Sequence, residues 1–245
     1  MLFAIGAGPH VAAVSSFDHF PADVESLPRV GALLDPDTER ILSLRPDLVV
    51  IYGSQTDLQV ALSRAGIRAY SYRHGGVAET LQTMRELGPL TGTDVGAHAA
   101  AASVLARLDA VRQRVAGRAR PRTLLVFGRE PGTLRSIYAA GGVGFMNDLL
   151  TIAGATNVFA DVKRESAQPS QEVLLARQPD VVLELSATTA TDAHEAVRVW
   201  AALGSVPAVR NGRVHTLAGA HLVTAGPRLG EAAEAIARVI HPDAF

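Results

Sequence analysis

The chain contains the stretch TERILSLRPDLVV at residues 38–50, and the same pattern returns as QEVLLARQPDVVL at residues 171–183. Each copy begins as a short amphipathic helix, breaks at Pro-Asp and continues as an apolar run that suits a buried strand. The Pro-Asp pairs lie 133 residues apart, and Glu39 and Glu172 have the same separation, so the copies align without a gap. The repeat predicts two related lobes, although helix–Pro-Asp–strand is also a common connection that unrelated segments can share.

Further helix and strand patterns follow each copy. In some segments, apolar residues recur every three or four positions, as in a helix. In other segments, they alternate with polar residues or form a continuous run, as in strands. The helical segments are residues 55–65 and 192–203, and the strand segments are residues 11–15, 67–72, 123–127 and 212–217. Because strands and helices alternate, the sequence predicts an α/β fold with parallel sheets covered by helices.

A longer helical segment lies between the two copies. Residues 94–116 contain no proline, and their only glycine is Gly96. A helix of this length spans about 35 Å at ~1.5 Å per residue. Its apolar face consists of Val104, Leu108, Val111 and Val115. The predicted domains are a first α/β lobe at residues 1–92, a connecting helix at residues 93–118 and a second α/β lobe at residues 119–245.

Composition excludes several classes of function. The 245 residues include 23 Lys and Arg against 24 Asp and Glu, which gives no basic footprint for nucleic acid. The chain has no cysteine, and therefore no disulfide, cysteine-ligated metal or thiol nucleophile. The glycine-rich residues 141–148 lack the Gly-Lys-Ser/Thr of a phosphate-binding loop, and no nucleophile elbow or metalloprotease helix is present. The eight histidines do not cluster at metal-ligand spacing, so we predict no metal site. Because the motifs named above are absent from the sequence, we also predict no catalytic residue and no cofactor.

Six segments of the chain resemble the helical-backbone solute-binding proteins that serve ABC importers of cobalamin, iron–siderophores and haem. They are FAIGAG (3–8), VSSFDHFP (14–21), LPRVG (27–31), and residues 39–50, 142–159 and 170–183. The resemblance covers nearly the whole chain. It implies two Rossmann-like lobes with parallel sheets, joined by one long α-helix, with the ligand held in the cleft between them. It also implies a monomeric, non-enzymatic extracytoplasmic receptor that delivers its ligand to the permease dimer of an ABC importer.

The start of the chain bears on location. The first eight residues, MLFAIGAG, are typical of a helix end that runs into a glycine turn, and they lack the basic start of a secretory signal. Members of the resembled family carry a signal peptide or a lipoprotein anchor and then a first strand before this helix. We therefore expect that the first strand is missing from this sequence. We expect the full-length protein in the periplasm or lipid-anchored at the outer face of the membrane.

Two glutamates match positions that dock on the permease in the resembled family. Glu39 and Glu172 are the repeat-related pair, and a pseudo-symmetric protein is expected to show a symmetric partner the same charge twice. The alternative is that glutamate is simply a favourable exposed residue in the first turn of a helix.

Ligand contacts are expected in loops that follow the strands, where α/β folds place their sites. The candidates are Phe17, Asp18, Leu33, Leu34, Tyr52 and His74 in the first lobe, and Arg129, Tyr138, Phe145, Ser166 and His221 in the second. A macrocycle favours apolar walls with few polar contacts, whereas an anionic iron chelate favours arginine.

The resemblance narrows the ligand to a corrinoid, which is vitamin B12-like, or an iron–siderophore. Leu33 and Ser166 stand where some cobalamin-binding members carry tryptophan. Ala32 stands where haem-binding members often carry an iron-ligating tyrosine, so tyrosine-ligated haem is not expected. Two other hypotheses stay open, a cytosolic α/β enzyme such as a metal chelatase and a receptor for zinc or manganese.

Overall fold

The computed structural model describes residues 1–187 and 193–245, and these divide into two compact units. Unit 1 comprises Met1–His74 and Leu81–Ala101, and unit 2 comprises Gly75–Thr80 and Ala102–Phe245. Each unit contains its own β-sheet. The division into residues 1–92, 93–118 and 119–245 that the sequence suggests stays a prediction.

Unit 1 is built on a strand–helix–strand unit. Strands β1 and β2 pair in parallel, from Leu48 opposite Arg68 to Tyr52 opposite Tyr72. A parallel pair needs a crossover connection, and α2 provides it. Helices α3 and α4 each belong partly to unit 1 and partly to unit 2. The elements are α1 (Thr38–Ser43), β1 (Leu48–Tyr52), α2 (Thr56–Arg64), β2 (Arg68–Tyr72), α3 (Val77–Thr91) and α4 (Asp94–Val115).

Unit 2 contains a six-stranded mixed sheet in the order β6-β4-β3-β7-β8, and β5 pairs with the start of β3. Its remaining elements are β3 (Arg122–Gly128), β4 (Tyr138–Ala140), α5 (Phe145–Ile152), β5 (Thr156–Asn157), β6 (Ser166–Ala167), α6 (Gln171–Arg177), β7 (Val181–Ser186), α7 (Ala193–Trp200), α8 (Pro207–Arg210), β8 (Val214–Ala218) and α9 (Leu229–Ile240). Short 3-10 turns occupy Gly8–His10, Ala22–Ser26, Ala201–Leu203, Ala220–Leu222 and Pro242–Ala244.

The α/β fold predicted from the sequence is confirmed, with one addition. Strands β3, β7 and β8 are parallel, as expected. Strand β4 is antiparallel to β3, and β6 is antiparallel to β4. Residues 129–137 join β3 to β4 and are too few for a crossover helix, so the chain returns in the opposite direction. Within the described ranges, none of the helices combines the length and apolarity that a membrane span requires.

The two copies of the repeat adopt the same local structure. Asp37 and Ser170 cap α1 and α6, each accepting a hydrogen bond from the backbone N–H three residues further on. Arg45 and Gln178, directly before the two Pro-Asp pairs, have left-handed backbones with φ of 47° and 46°. Strands β1 and β7 then follow at equivalent positions. The repeat is therefore structural, from the cap to the strand.

One predicted strand is wrong. Residues 11–15 form no strand, and only Val14 makes an isolated bridge, to Arg29. Residues 15–18 form a turn instead, in which the N–H of Asp18 donates to the carbonyl of Ser15 at 3.1 Å and the N–H of Ser15 donates to the carboxylate of Asp18 at 3.0 Å. The other predicted helices and strands are present, with α7 observed from Ala193. The start of the predicted helix, Asp192, lies outside the described residues.

A buried amide holds the β3 and β4 region together, and this predicts a stability effect. Asn157 is 5% exposed; its side-chain N–H donates to the carbonyls of Ala140 (3.2 Å) and Gly141 (2.8 Å), and its oxygen accepts from the N–H of Phe159 (3.0 Å). We expect Asn157→Ala to lower the free energy of unfolding by about 2–4 kcal/mol, because buried backbone groups lose their partners. Urea denaturation followed by circular dichroism measures this.

The matched control for this prediction is Asn211→Ala. Asn211 is exposed at the end of α8, and we expect its replacement to change stability by less than about 0.5 kcal/mol. An equal effect of the two substitutions would contradict the role given to Asn157.

Candidate ligand-binding site

Aromatic side chains stand at the carboxyl ends of both strands of unit 1. Tyr52 ends β1 and Tyr72 ends β2, and the parallel register places them side by side with 5.9 Å between ring centroids. The ring of His74 lies 6.3 Å from that of Tyr52. All three side chains are half-buried. They form an aromatic cluster with both apolar faces and polar edges.

The loop that carries Leu33 and Leu34 is fastened to this cluster by Gln55. The side-chain N–H of Gln55 donates to the carbonyl of Leu33 at 3.1 Å, and its oxygen accepts the backbone N–H of Tyr52 at 2.8 Å. Leu33 is 44% exposed and Leu34 is 94% exposed. The loop therefore presents two apolar side chains to solvent close to the end of β1. Sequence reasoning did not identify Gln55, since a glutamine before a helix carries no distinctive signal.

Phe17 lies on a second fastened loop. The guanidinium of Arg29 donates to the carbonyls of Ser15, at 3.1 Å, and Asp18. The Asp18 carboxylate accepts the Ser15 N–H, so its role here is to shape the loop. The Phe17 side chain is 79% exposed. An exposed aromatic ring on an ordered loop is a preorganised apolar contact.

The carboxyl ends of β3 and β7 in unit 2 hold a buried ion pair. Arg129 follows β3, and its Nε and Nη2 donate to the two carboxylate oxygens of Glu184, in β7, at 2.7 and 3.3 Å. Both side chains are 6% exposed. Burial lowers the pKa of Arg129, and the hydrogen bond and charge of Glu184 more than reverse this, so that the pKa is raised. The guanidinium is therefore a permanent cation.

Helix α7 closes this network from the other side. The indole N–H of Trp200, a fully buried residue, donates to Glu184 Oε1 at 2.6 Å. Glu195 accepts from the backbone N–H of Gly132 at 2.9 Å and lies 3.4 Å from Nη1 and Nη2 of Arg129. Neither Trp200 nor Glu195 stood out in the sequence, because their partners are distant along the chain.

A cavity of about 360 Å³ opens beside this network. It lies at the carboxyl ends of β3 and β7, the edge at which α/β folds bind ligands. It is lined by Val126, Phe127, Gly128, Arg129, Pro131, Glu184, Leu185, Ser186, Ala187 and Glu195.

Two other predicted residues lie at the same edge of the sheet. Tyr138 begins β4 opposite Gly128, is 41% exposed, and has its ring 6.2 Å from that of Phe127. His221 follows β8, and its ring packs on Gly219, where a Cβ would come within 2.6 Å. Burial and the charge of Arg228 lower the pKa of His221, which favours the neutral imidazole.

Ser166 and Phe145 have different surroundings. Ser166 lies in β6, opposite Ala140, and is half-buried. Phe145 is only 3% exposed, and its backbone N–H donates to the carbonyl of Gly75 at 3.1 Å. Its apolar ring belongs to the core of unit 2, so contact with a ligand would require it to become exposed. Ligand binding by these and the other site residues stays a prediction.

The two glutamates of the repeat occupy equivalent surface positions. Glu39 is the second residue of α1 and Glu172 the second residue of α6, and both are exposed. A hydrogen bond from Ser170 lowers the pKa of Glu172. A shallow cavity of about 600 Å³ borders Glu39 and is lined by Ser16, Arg29, Gly31, Asp35, Pro36, Asp37, Thr38, Glu39 and Arg40. Across the described ranges, no three His, Asp or Glu side chains converge in a group that could hold a metal ion.

Comparison with known proteins identifies relatives of this chain. The vitamin B12-binding protein of Salmonella typhimurium is 29% identical over 214 residues, which are 85% of this chain and 76% of that protein. An uncharacterized ABC transporter substrate-binding lipoprotein of Bacillus subtilis, YvrC, is 26% identical over 248 residues, covering 99% of this chain and 77% of the lipoprotein.

The fold also matches solved structures. A possible iron-binding, periplasmic solute-binding protein from Staphylococcus epidermidis superposes with a TM-score of 0.84 at 23% identity, covering 98% of this chain and 93% of the other. At that identity the likeness concerns the fold. A sequence model described as periplasmic binding protein matches residues 1–220, nearly the whole chain. The chain therefore belongs to the periplasmic binding protein family.

Proposed function

We propose that this protein is the substrate-binding component of an ABC importer and that it captures a corrinoid. The observation that carries the proposal is the aromatic and apolar surface of unit 1, formed by the Tyr52, Tyr72 and His74 cluster and the fastened loops beside it. Flat rings and exposed leucines suit the wide apolar faces of a macrocycle, and the polar edges of tyrosine and histidine suit its amide groups. Similarity to a vitamin B12-binding protein supports the same ligand.

Binding and delivery are the activity under this proposal. The relatives compared above are named as a vitamin B12-binding protein and as an ABC transporter substrate-binding lipoprotein, and neither name is that of an enzyme. One of them is named as a lipoprotein. We propose an extracytoplasmic location, in the periplasm or anchored by lipid, with the permease dimer of the importer as partner. An iron–siderophore, the second ligand that the resemblance implies, serves as the comparison in the tests.

Phe17 provides the first test of the site. We expect isothermal titration calorimetry to show saturable binding of cyanocobalamin to the wild-type chain. Replacement Phe17→Ser should raise the Kd about tenfold, because an exposed ring that covers the ligand contributes about 1.4 kcal/mol. Ferric hydroxamate, ferric catecholate and haem are titrated in parallel.

A matched control separates the site from general surface hydrophobicity. Val95 in α4 is 84% exposed, comparable with Phe17 at 79%, and we expect Val95→Ser to leave the Kd unchanged. Tighter binding of an iron chelate than of cyanocobalamin by the wild type would contradict the corrinoid assignment.

The docking role of Glu39 and Glu172 rests on their equivalence. Both are exposed, both occupy the second position of a capped helix, and the two helices are copies of one repeat. A partner with two-fold symmetry can then bind the same carboxylate in the same local frame twice. Exposed charges contribute to orientation and association rate more than to affinity.

Charge reversal tests this role. We expect Glu39→Arg together with Glu172→Arg to abolish ligand-stimulated ATP hydrolysis by the reconstituted importer, while the Kd for cyanocobalamin stays within about twofold of wild type. The control is the reversal Glu234→Arg, which changes an exposed carboxylate on α9. Stimulation that survives the double reversal at Glu39 and Glu172 would show that the permease docks elsewhere.

A further inference from the structure

The cavity of unit 2 has an unbalanced set of charges. Arg129, Glu184 and Glu195 line it, and the other lining residues among the described part of the chain are uncharged. The formal charges of the three side chains sum to one negative charge. Glu184 and Arg129 are nearly inaccessible, at 6% exposure, whereas the Glu195 side chain is 25% exposed. The surplus charge is therefore on the accessible carboxylate.

Every nitrogen of the Arg129 guanidinium is already engaged by the protein. Nε and Nη2 donate to Glu184 at 2.7 and 3.3 Å. Nη1 donates to the carbonyls of Glu130 at 3.3 Å and Thr133 at 3.4 Å. Both Nη1 and Nη2 lie 3.4 Å from Glu195. An anion could use this arginine only by displacing a carboxylate, and leaving a buried carboxylate without its partner is costly.

We infer that this network is a charge filter on the ligand, which admits neutral or cationic chelates and disfavours anionic ones. Arginine binds anionic groups strongly when its planar donors face them, and here the donors face Glu184 and Glu195 instead. The surplus negative charge repels an incoming anion, and repulsion between charges is stronger beside the protein than in bulk water. This inference rests on the proposed function, since it names the charge class of the same ligand.

Glu195 is the residue best suited to a substitution that tests the filter, because its side chain is the most exposed of the three. Its contacts with Arg129, at 3.4 Å, are longer than those of Glu184, and its closest partner is the backbone N–H of Gly132 at 2.9 Å. A glutamine can still accept that hydrogen bond while removing the charge. Glu184 is unsuitable, because it is buried and also binds the indole of Trp200.

The experiment compares wild type, Glu195→Gln and the control Glu234→Gln. The control removes one carboxylate charge from an ion pair on α9, outside the residues that line the cavity. The Kd of each chain is measured by calorimetry for cyanocobalamin, a neutral ferric tris-hydroxamate and a trianionic ferric tris-catecholate. Thermal unfolding by circular dichroism establishes that each variant is folded.

We expect Glu195→Gln to increase the affinity for the trianionic catecholate by about tenfold relative to the affinity for cyanocobalamin, since one repulsive charge is gone. The neutral hydroxamate should not share this gain, and Glu234→Gln should not produce it. An unchanged ratio in folded Glu195→Gln, or wild-type binding of the trianion as tight as that of cyanocobalamin, would overturn the filter.

These outcomes separate the filter from the proposed function. Failure of the wild type to bind cyanocobalamin contradicts corrinoid capture. In that case, binding of the trianionic catecholate alone tests the charge filter. The filter is supported if Glu195→Gln binds the trianion more tightly than wild type does, and it is overturned if the variant does not.

Discussion

Strand β7 runs through the interior of unit 2, and all of its side chains are apolar except two, of which only Glu184 is buried. A carboxylate at such a position must have its charge compensated, because desolvation without partners is prohibitive. Arg129 supplies the charge, from the end of the neighbouring strand, and Trp200 supplies a further hydrogen bond. This single requirement sets the position of the β3 end, orients α7 and brings Glu195 to the cavity. The chemistry of the site follows from it.

Unit 1 carries aromatic side chains at the carboxyl edge of its sheet. Its two strands are parallel and in register, so the side chains that end them, Tyr52 and Tyr72, must lie together. Side chains of surrounding loops then fasten the backbone, through Gln55 and Arg29, and leave apolar groups such as Phe17 exposed. Polar atoms hold the loops, and apolar surface faces outward. The exposed apolar groups therefore lie on loops whose backbone is held in place, which limits the conformational entropy that the protein loses on binding a ligand.

Much of the fold could be predicted because each copy of the repeat contains the residues that begin and end its helix and begin its strand. The caps, the Pro-Asp breaks and the apolar runs fix α1, β1, α6 and β7 through local chemistry. Strands β4, β5 and β6 have only two or three residues each, too few to show a period. Residues 11–15 form no strand because the chain turns at residues 15–18, directly after the single bridge at Val14. The candidate site likewise contains residues that the sequence predicts and contacts that it does not. Tyr52 and Arg129 follow from their places after strands, but the capture of Arg129 by Glu184 and Glu195 depends on pairs 55 and 66 residues apart, which no local pattern records.

The most direct test of the account is amide hydrogen–deuterium exchange of the full chain with and without saturating cyanocobalamin. Corrinoid capture predicts slower exchange in the two loops around residues 15–19 and 31–35 of unit 1. It also predicts slower exchange at strand ends, around residues 52–55 and 72–75 of unit 1 and residues 128–132 and 219–222 of unit 2. Exchange in α1 and α6 should stay unchanged, because these helices are not among the proposed ligand contacts. Absence of protection in the strand-end segments at saturating ligand, or protection confined to α1 and α6, would contradict it.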